Sequence, residues 1–160
     1  LMADANPKTV ILGGDPVYAE APAANGPVKP GMLLLRLSAG TVRPHNVAKG
    51  YAEALFAREA DFAGASIDDE YENGETVSFA KCRKGDRIYA LLAAGQDVAA
   101  GAFLESDGAG ALRAKTAHSQ LTSGNYTVTT EGHAVAVALE AVDNDPGTDS
   151  LPVRIKVEIL

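Results

Sequence analysis

The chain repeats itself. Val28 and Val98, Gly31 and Gly101, Leu34 and Leu104, Gly40 and Gly110, Val42 and Leu112, and Arg43 and Arg113 all fall at one offset of 70 residues, without a gap. Internal repetition constrains architecture before any single motif does. Two copies are too few for a solenoid, so they predict one β domain whose halves resemble each other. In Val-x-x-Gly the valine fills a core. The glycine permits positive φ, or close backbone contact, where the chain turns into the next strand. Gly31, Gly40, Gly101 and Gly110 are therefore expected at structural turns rather than at a reactive site.

The repeat continues beyond its arginines. An alanine-alternating stretch at 52–59 and then Val77-Ser-Phe79 follow the first copy. Residues 133–140 and then Val153-Arg-Ile155-Lys-Val157-Glu-Ile159 follow the second. Apolar and charged residues alternating with period two mark a strand with one wet face. Further strands are expected at 17–19, 32–37, 41–43, 76–80 and 87–92. Turns are expected at 38–40, at Asn73-Gly74, at Lys84-Gly85-Asp86 and at 144–147. Residues 47–58 read either as a short amphipathic helix or as a loop running into a strand. The expected fold is all-β: a small closed or partly open barrel, β-tulip-like, with an internal pseudo-repeat. Residues 1–15 form an extended N-terminal arm and 16–160 one domain, with half-repeats at about 17–80 and 87–160.

In the arm, Lys8, Thr9, Val10, Ile11 and Leu12 precede a Gly13-Gly14-Asp15 hinge. A β-prone segment beyond a hinge is suited to adding a strand to another sheet, in its own subunit or in a neighbour. These five residues are the candidate interface, and deletion of residues 1–12 is expected to abolish partner binding or oligomerisation but spare folding.

A chain of 160 residues fits one domain. At this size roughly 70% of the unfolded surface is buried, enough for a core without metal or disulfide. Aromatics are 6% and tryptophan is absent, so the core is aliphatic. The net charge of −7 opposes direct binding to nucleic acid or anionic membrane. The one basic knot, Lys81, Arg83, Lys84 and Arg87, straddles a turn and reads as solvated. Cys82 is the single cysteine, which excludes an internal disulfide or zinc cluster and fits a reducing compartment. The first residues lack the basic-then-apolar pattern of a secretion signal, and no apolar run is long enough to span a bilayer.

Chemistry-bearing constellations are scarce. Nucleophilic catalysis needs a Ser or Cys with a nearby histidine and an orienting acid. His45, His118 and His133 stand in no such context, and each reads as a surface or strand-end residue. Three scattered histidines also make a poor metal set. Asp68, Asp69, Glu70 and Glu72 lack the spacing of a calcium loop and read as a solvated acidic face. Asp107-Gly108-Ala-Gly110 lacks the Lys-Ser/Thr of a phosphate loop and reads as a hairpin turn. No enzyme, cofactor or metal site is expected.

Several spaced motifs together resemble the capsid decoration (cement) proteins of tailed bacteriophages. They are Ala57-Arg58-Glu59, Ile67-Asp68-Asp69-Glu70-Tyr71, Gly74-Glu75-Thr-Val77, Gly85-Asp86-Arg-Ile88-Tyr89-Ala90-Leu91-Leu92, Gly95-Gln96-Asp-Val98, Gly101-Ala-Phe103-Leu104-Glu105 and Gly108-Ala-Gly110-Ala-Leu112, with Val137-Ala-Leu139-Glu140 and Arg154-Ile155-Lys156-Val157 near the end. The similarity covers most of the chain after Met32. It implies a β-rich domain on the outer surface of an icosahedral head, assembled in the host cytoplasm. The implied partners are the major capsid protein and further copies of the chain, as trimers or else dimers. Two other readings compete. One is a soluble carbohydrate- or ligand-binding β module that uses Tyr126 and residues 119–132. The other is a lipoyl-type carrier, which the absence of a lysine at the hairpin tips opposes. Whichever holds, function is expected where the halves differ: the arm, residues 60–73 and residues 118–132.

Overall fold

The computed structural model describes residues 6–144 and 151–160. Within them the chain is all-β, with a single 3-10 turn at Asp61–Ala63. The strands of the first half are β1 (Ile11–Gly13), β2 (Val17–Pro22), β3 (Leu33–Arg36), β4 (Val42–Pro44), β5 (Leu55–Ala57) and β6 (Thr76–Lys81). Those of the second are β7 (Arg87–Leu92), β8 (Asp97–Val98), β9 (Phe103–Ser106), β10 (Leu112–Ala114), β11 (Ser119–Ser123), β12 (Tyr126–Thr130), β13 (Ala136–Ala138), β14 (Val142–Asp143) and β15 (Val153–Ile159).

The second half forms a closed five-stranded barrel, ordered β7-β10-β9-β13-β15 and closed by β15 on β7. The first half repeats that order as β2-β4-β3-β5-β6, with the β2–β4 seam held by an isolated parallel bridge from Ala23 to Val42. The repetition extends to single hydrogen bonds. Ala24 N–H donates to Val42 C=O, and Ala93 N–H to Leu112 C=O, both at 2.8 Å. Gly31 N–H donates to Ala57 C=O, and Gly101 N–H to Ala138 C=O, again both at 2.8 Å. His45 N–H donates to Leu33 C=O as Lys115 N–H does to Phe103 C=O. The repeated sequence thus encodes a ring twice over: each half closes a ring of its own and does not contribute half of a shared one.

Each corner glycine has the left-handed backbone its neighbours demand, with φ of +93° at Gly31 and +86° at Gly101. The hairpin glycines Gly40 and Gly110 match, at +78° and +90°. Alternation sends Val28, Leu34, Val42, Leu55, Ala57, Val77 and Phe79 into the first ring, where they form one buried cluster with Tyr71. The opposite face of the same strands is also apolar at Leu33, Phe56 and Ala80. That face joins Ile88, Leu92, Leu104, Leu112, Ile155 and Val157 in a second cluster, which glues the rings together.

The arm differs from a hinged, freestanding segment. β1 pairs antiparallel with β7 of its own chain, Ile11 opposite Ile88. Val10 is fully buried. Its N–H donates to the Glu59 carboxylate at 3.0 Å, and the Thr9 hydroxyl donates to the other oxygen of that carboxylate. The Gly13-Gly14-Asp15 hinge is pinned as well: the buried Asp86 carboxylate accepts from Asp15 N–H at 3.0 Å and Arg83 N–H at 2.7 Å. A Cβ on Gly14 would fall 2.9 Å from the Asp86 Cα, so the glycine serves close approach there. The turn at 84–86 is accordingly part of the core rim and not fully solvated.

The alternating stretches at 52–59 and 133–140 shorten to three-residue strands for local reasons. Ala54, at φ +55°, breaks the extended backbone just before β5. His133 N–H is drawn to Lys49 C=O, away from β13. No helix forms over 47–58, and the expected turn at 144–147 lies mostly outside the described residues.

Candidate functional site

The two rings differ chiefly in what is inserted between their strands. The link from β4 to β5 covers 45–54, and its counterpart from β10 to β13 covers 115–135. The surplus is β11 and β12, a ribbon that pairs only with itself. Its register places Leu121 opposite Val128, Ser123 opposite Tyr126, and Ser119 opposite Thr130. Residues directly opposite share a face, so Leu121, Val128 and Tyr126 line one side while Gln120, Thr122 and Thr127 occupy the other. The apolar side is uncovered, with Leu121 73%, Val128 56% and Tyr126 79% exposed. A lone two-stranded ribbon is marginal in water, and clustered exposed apolar side chains mark contact sites.

Charge anchors the ribbon's base. Glu131 accepts from Lys115 Nζ at 2.7 Å and lies 3.3 Å from His118 Nδ1. These hydrogen bonds hold the Glu131 carboxyl below its ordinary value, Lys115 contributing most. Beneath, Glu105 is fully buried and accepts from Arg113 Nε at 2.8 Å, Thr116 N–H at 3.1 Å and the Thr116 hydroxyl at 2.9 Å. Burial opposes its charge, but those three donors outweigh burial and its carboxyl is held low. The ribbon therefore springs from a rigid, ion-paired root.

The first ring carries a different insertion, the 3-10 turn and the acidic residues after it. Phe62 is 74% exposed there, above a groove of about 350 Å³ lined by Ala60, Ala63, Tyr71 and Thr76. Asp69 accepts from Ser66 N–H, which lowers its pKa. Asp68 faces Arg154 at 3.6 Å, and Glu75 accepts from Glu72 N–H at 2.8 Å. Asp69 and Glu75 thus shape their own loop, while Asp68 ties it to β15. Among the described residues no three His, Cys, Asp or Glu side chains converge as a metal set.

The structure corrects one histidine. His45 is 1% exposed, not superficial. Its Nδ1 lies 2.7 Å from Ser106 Oγ and its Nε2 3.0 Å from Tyr51 C=O. Among the described residues no carboxylate bonds to the pair, which is buried between the rings. His118 and His133 are exposed, the first paired with Glu131 and the second at the rim of a surface cavity that also reaches Cys82. Cys82 is buried, and burial, reinforced by the charge of Asp86, pushes its thiol up to about 12, leaving it unreactive at neutral pH. Among the arm residues, Thr9, Val10 and Ile11 meet their own chain, as described above.

Sequence reading missed Leu121 and Val128 because the threonines and serines around them make the segment look uniformly polar. The available signal was Gly124-Asn125, a two-residue hairpin turn that pairs those two residues. No protein-family model matches this chain, and no curated protein does. The likeness to decoration proteins therefore rests on the spaced motifs alone.

Proposed function

We propose that this protein is a structural virion component that binds the outer surface of an icosahedral phage head and stabilises the major capsid protein lattice. The observation that carries this reading is the β11–β12 ribbon, an amphipathic strand pair whose apolar face has no partner within the described chain. A cement protein needs a rigid body and a complementary surface presented in many copies. Many weak contacts held at once give avidity without a reactive group. The ribbon would lie with Leu121, Val128 and Tyr126 against the capsid and Thr122 and Thr127 toward water. Association of copies over local symmetry axes belongs to the same reading.

The test is to mix the purified protein with undecorated heads and image them. Decoration is expected with the natural chain. A Leu121→Ser, Val128→Ser double variant should melt as the natural chain does, yet bind at least about tenfold more weakly, from the apolar burial lost. Bare heads with the natural chain overturn the proposal. If heads stay bare while glycans bind through Tyr126, the ligand-binding module takes its place.

A further inference from the structure

The geometry points to β2 as a self-pairing edge: two copies of the chain join antiparallel about a two-fold axis at Ala19. Tyr18 in each would exchange both backbone hydrogen bonds with Glu20 of the partner subunit. This inference is independent of capsid binding.

It starts from a difference between the rings. On β7, the edge not used by β15 is covered by β1, and Tyr89 N–H donates to Val10 C=O at 2.7 Å. In the first ring β2 takes the place of β7, but among the described residues no strand lies along the matching edge. β2 pairs with β6, Val17 opposite Lys81, Ala19 opposite Phe79 and Ala21 opposite Val77. The next rung is a 2.8 Å bond from Ala23 N–H to Glu75 C=O, and on the far side of β6 Arg58 N–H donates to Ser78 C=O. Alternation then assigns Val17, Ala19 and Ala21 to β6 and turns the N–H and C=O of Tyr18 and Glu20 outward. Residues 17–20 are all exposed.

Prolines choose the register. Pro16 and Pro22 are the next residues on that edge, and neither has an N–H to give. Centred on Ala19, the pairing makes four backbone bonds and leaves no donor facing a proline. Centred on Tyr18 or Glu20, the four donors still find acceptors, but the Glu20 or Tyr18 C=O of each subunit is set against a Pro16 or Pro22 that cannot donate. The same prolines stop further strand addition, a familiar guard on open edges.

Charge supports a second copy as the occupant. Across the axis, Glu20 of the partner subunit stands beside Tyr18, about 5.5 Å away between Cα atoms as in any hydrogen-bonded antiparallel pair. The Arg58 guanidinium lies over that Tyr18 ring, 4.5 Å from its centroid. Arg58 Nε is buried with no hydrogen-bond acceptor among the described residues. In a chain of net charge −7, this brings an anion to a cation at the contact itself.

Sedimentation of the full chain across a wide concentration range tests this, with melting curves run beside it. A monomer–dimer equilibrium is expected. Glu20→Pro removes one outward donor per subunit, leaves the β6 ladder alone, and should raise the dissociation constant about thirtyfold. Glu20→Arg and Arg58→Glu should each weaken the dimer, and their combination should restore it, which keeps the test decisive if the proline variant fails to fold. A monomer at every concentration overturns the inference, as does a trimer or a dimer indifferent to all these changes. A monomer whose binding to undecorated heads depends on Glu20 also overturns it and assigns the edge to the capsid.

Discussion

His45 and Ser106 lie 2.7 Å apart across the boundary between the two rings. One belongs to the strand exit of β4, the other to the end of β9, and each is buried. Around them Lys49 N–H donates to Ser106 C=O and Gly110 N–H to His45 C=O, at 3.0 and 3.1 Å. A polar seam thus fixes the rotation of one ring against the other, where the apolar cluster alone would leave it loosely specified.

His45→Ala should therefore destabilise by about 2–4 kcal/mol, from a cavity plus the two ring hydrogen bonds lost to Ser106 and Tyr51. For a domain this size that lowers the melting temperature by roughly 4–15 °C. A melt shifted by less than a degree would show that the seam is dispensable.

The corner glycines should respond unequally despite their common role. A Cβ at Gly101 meets nothing within 4 Å, so Gly101→Ala costs only the positive-φ penalty, about 1 kcal/mol. At Gly31 the added carbon would fall 2.6 Å from Arg154 Nη1 and 2.9 Å from Tyr89 C=O. Gly31→Ala should cost about 3 kcal/mol or more, because strain and overpacking add. Chemical denaturation of the two variants checks the order, and equal losses would contradict it.

Glu105 predicts an acid limit. Its folded pKa lies below the ordinary value of 4.5. A depressed carboxylate contributes stability that is present above the unfolded pKa and is lost as pH falls through the folded one. Stability should hold above about pH 5 and decline below it. Glu105→Gln should flatten that decline while costing about 2–3 kcal/mol at neutral pH, since Arg113 loses its charged partner. Urea melts from pH 7 to 3 give both readings, and an unchanged acid slope in the variant would remove Glu105 from the explanation.

Deleting residues 1–12 should impair folding rather than only a contact surface. The deletion strips Val10 from the core, β1 from β7 and two donors from the buried Glu59 carboxylate. The cost is about 4 kcal/mol or more, from lost burial and an unpaired charge. A truncated chain melting within a degree or two of the full one would return the arm to a freestanding role.

Period-two alternation in 153–159 and the apolar run at 87–92 suffice to place β15 and β7 at both ends. Such strands are local statements: side-chain direction follows from residue parity. The interior of His45 was not legible, because histidine in a Pro-His-Asn context looks superficial until a strand from the other half closes over it. Likewise the β2 edge is defined by something missing beside it, and no property of residues 16–22 says which neighbouring strand is lacking.

The sequence by itself determined the doubled plan. Glycines at corners and apolar residues at alternate positions specify the same ring twice, through interactions within a few residues of each strand. Only the tertiary structure decided how the rings meet and what they leave open. Packing between the halves buried His45 and the arm, while the ribbon's apolar face and the edge of β2 were left outside. Those outcomes depend on contacts between residues tens of positions apart, and long-range geometry is not written in any local pattern.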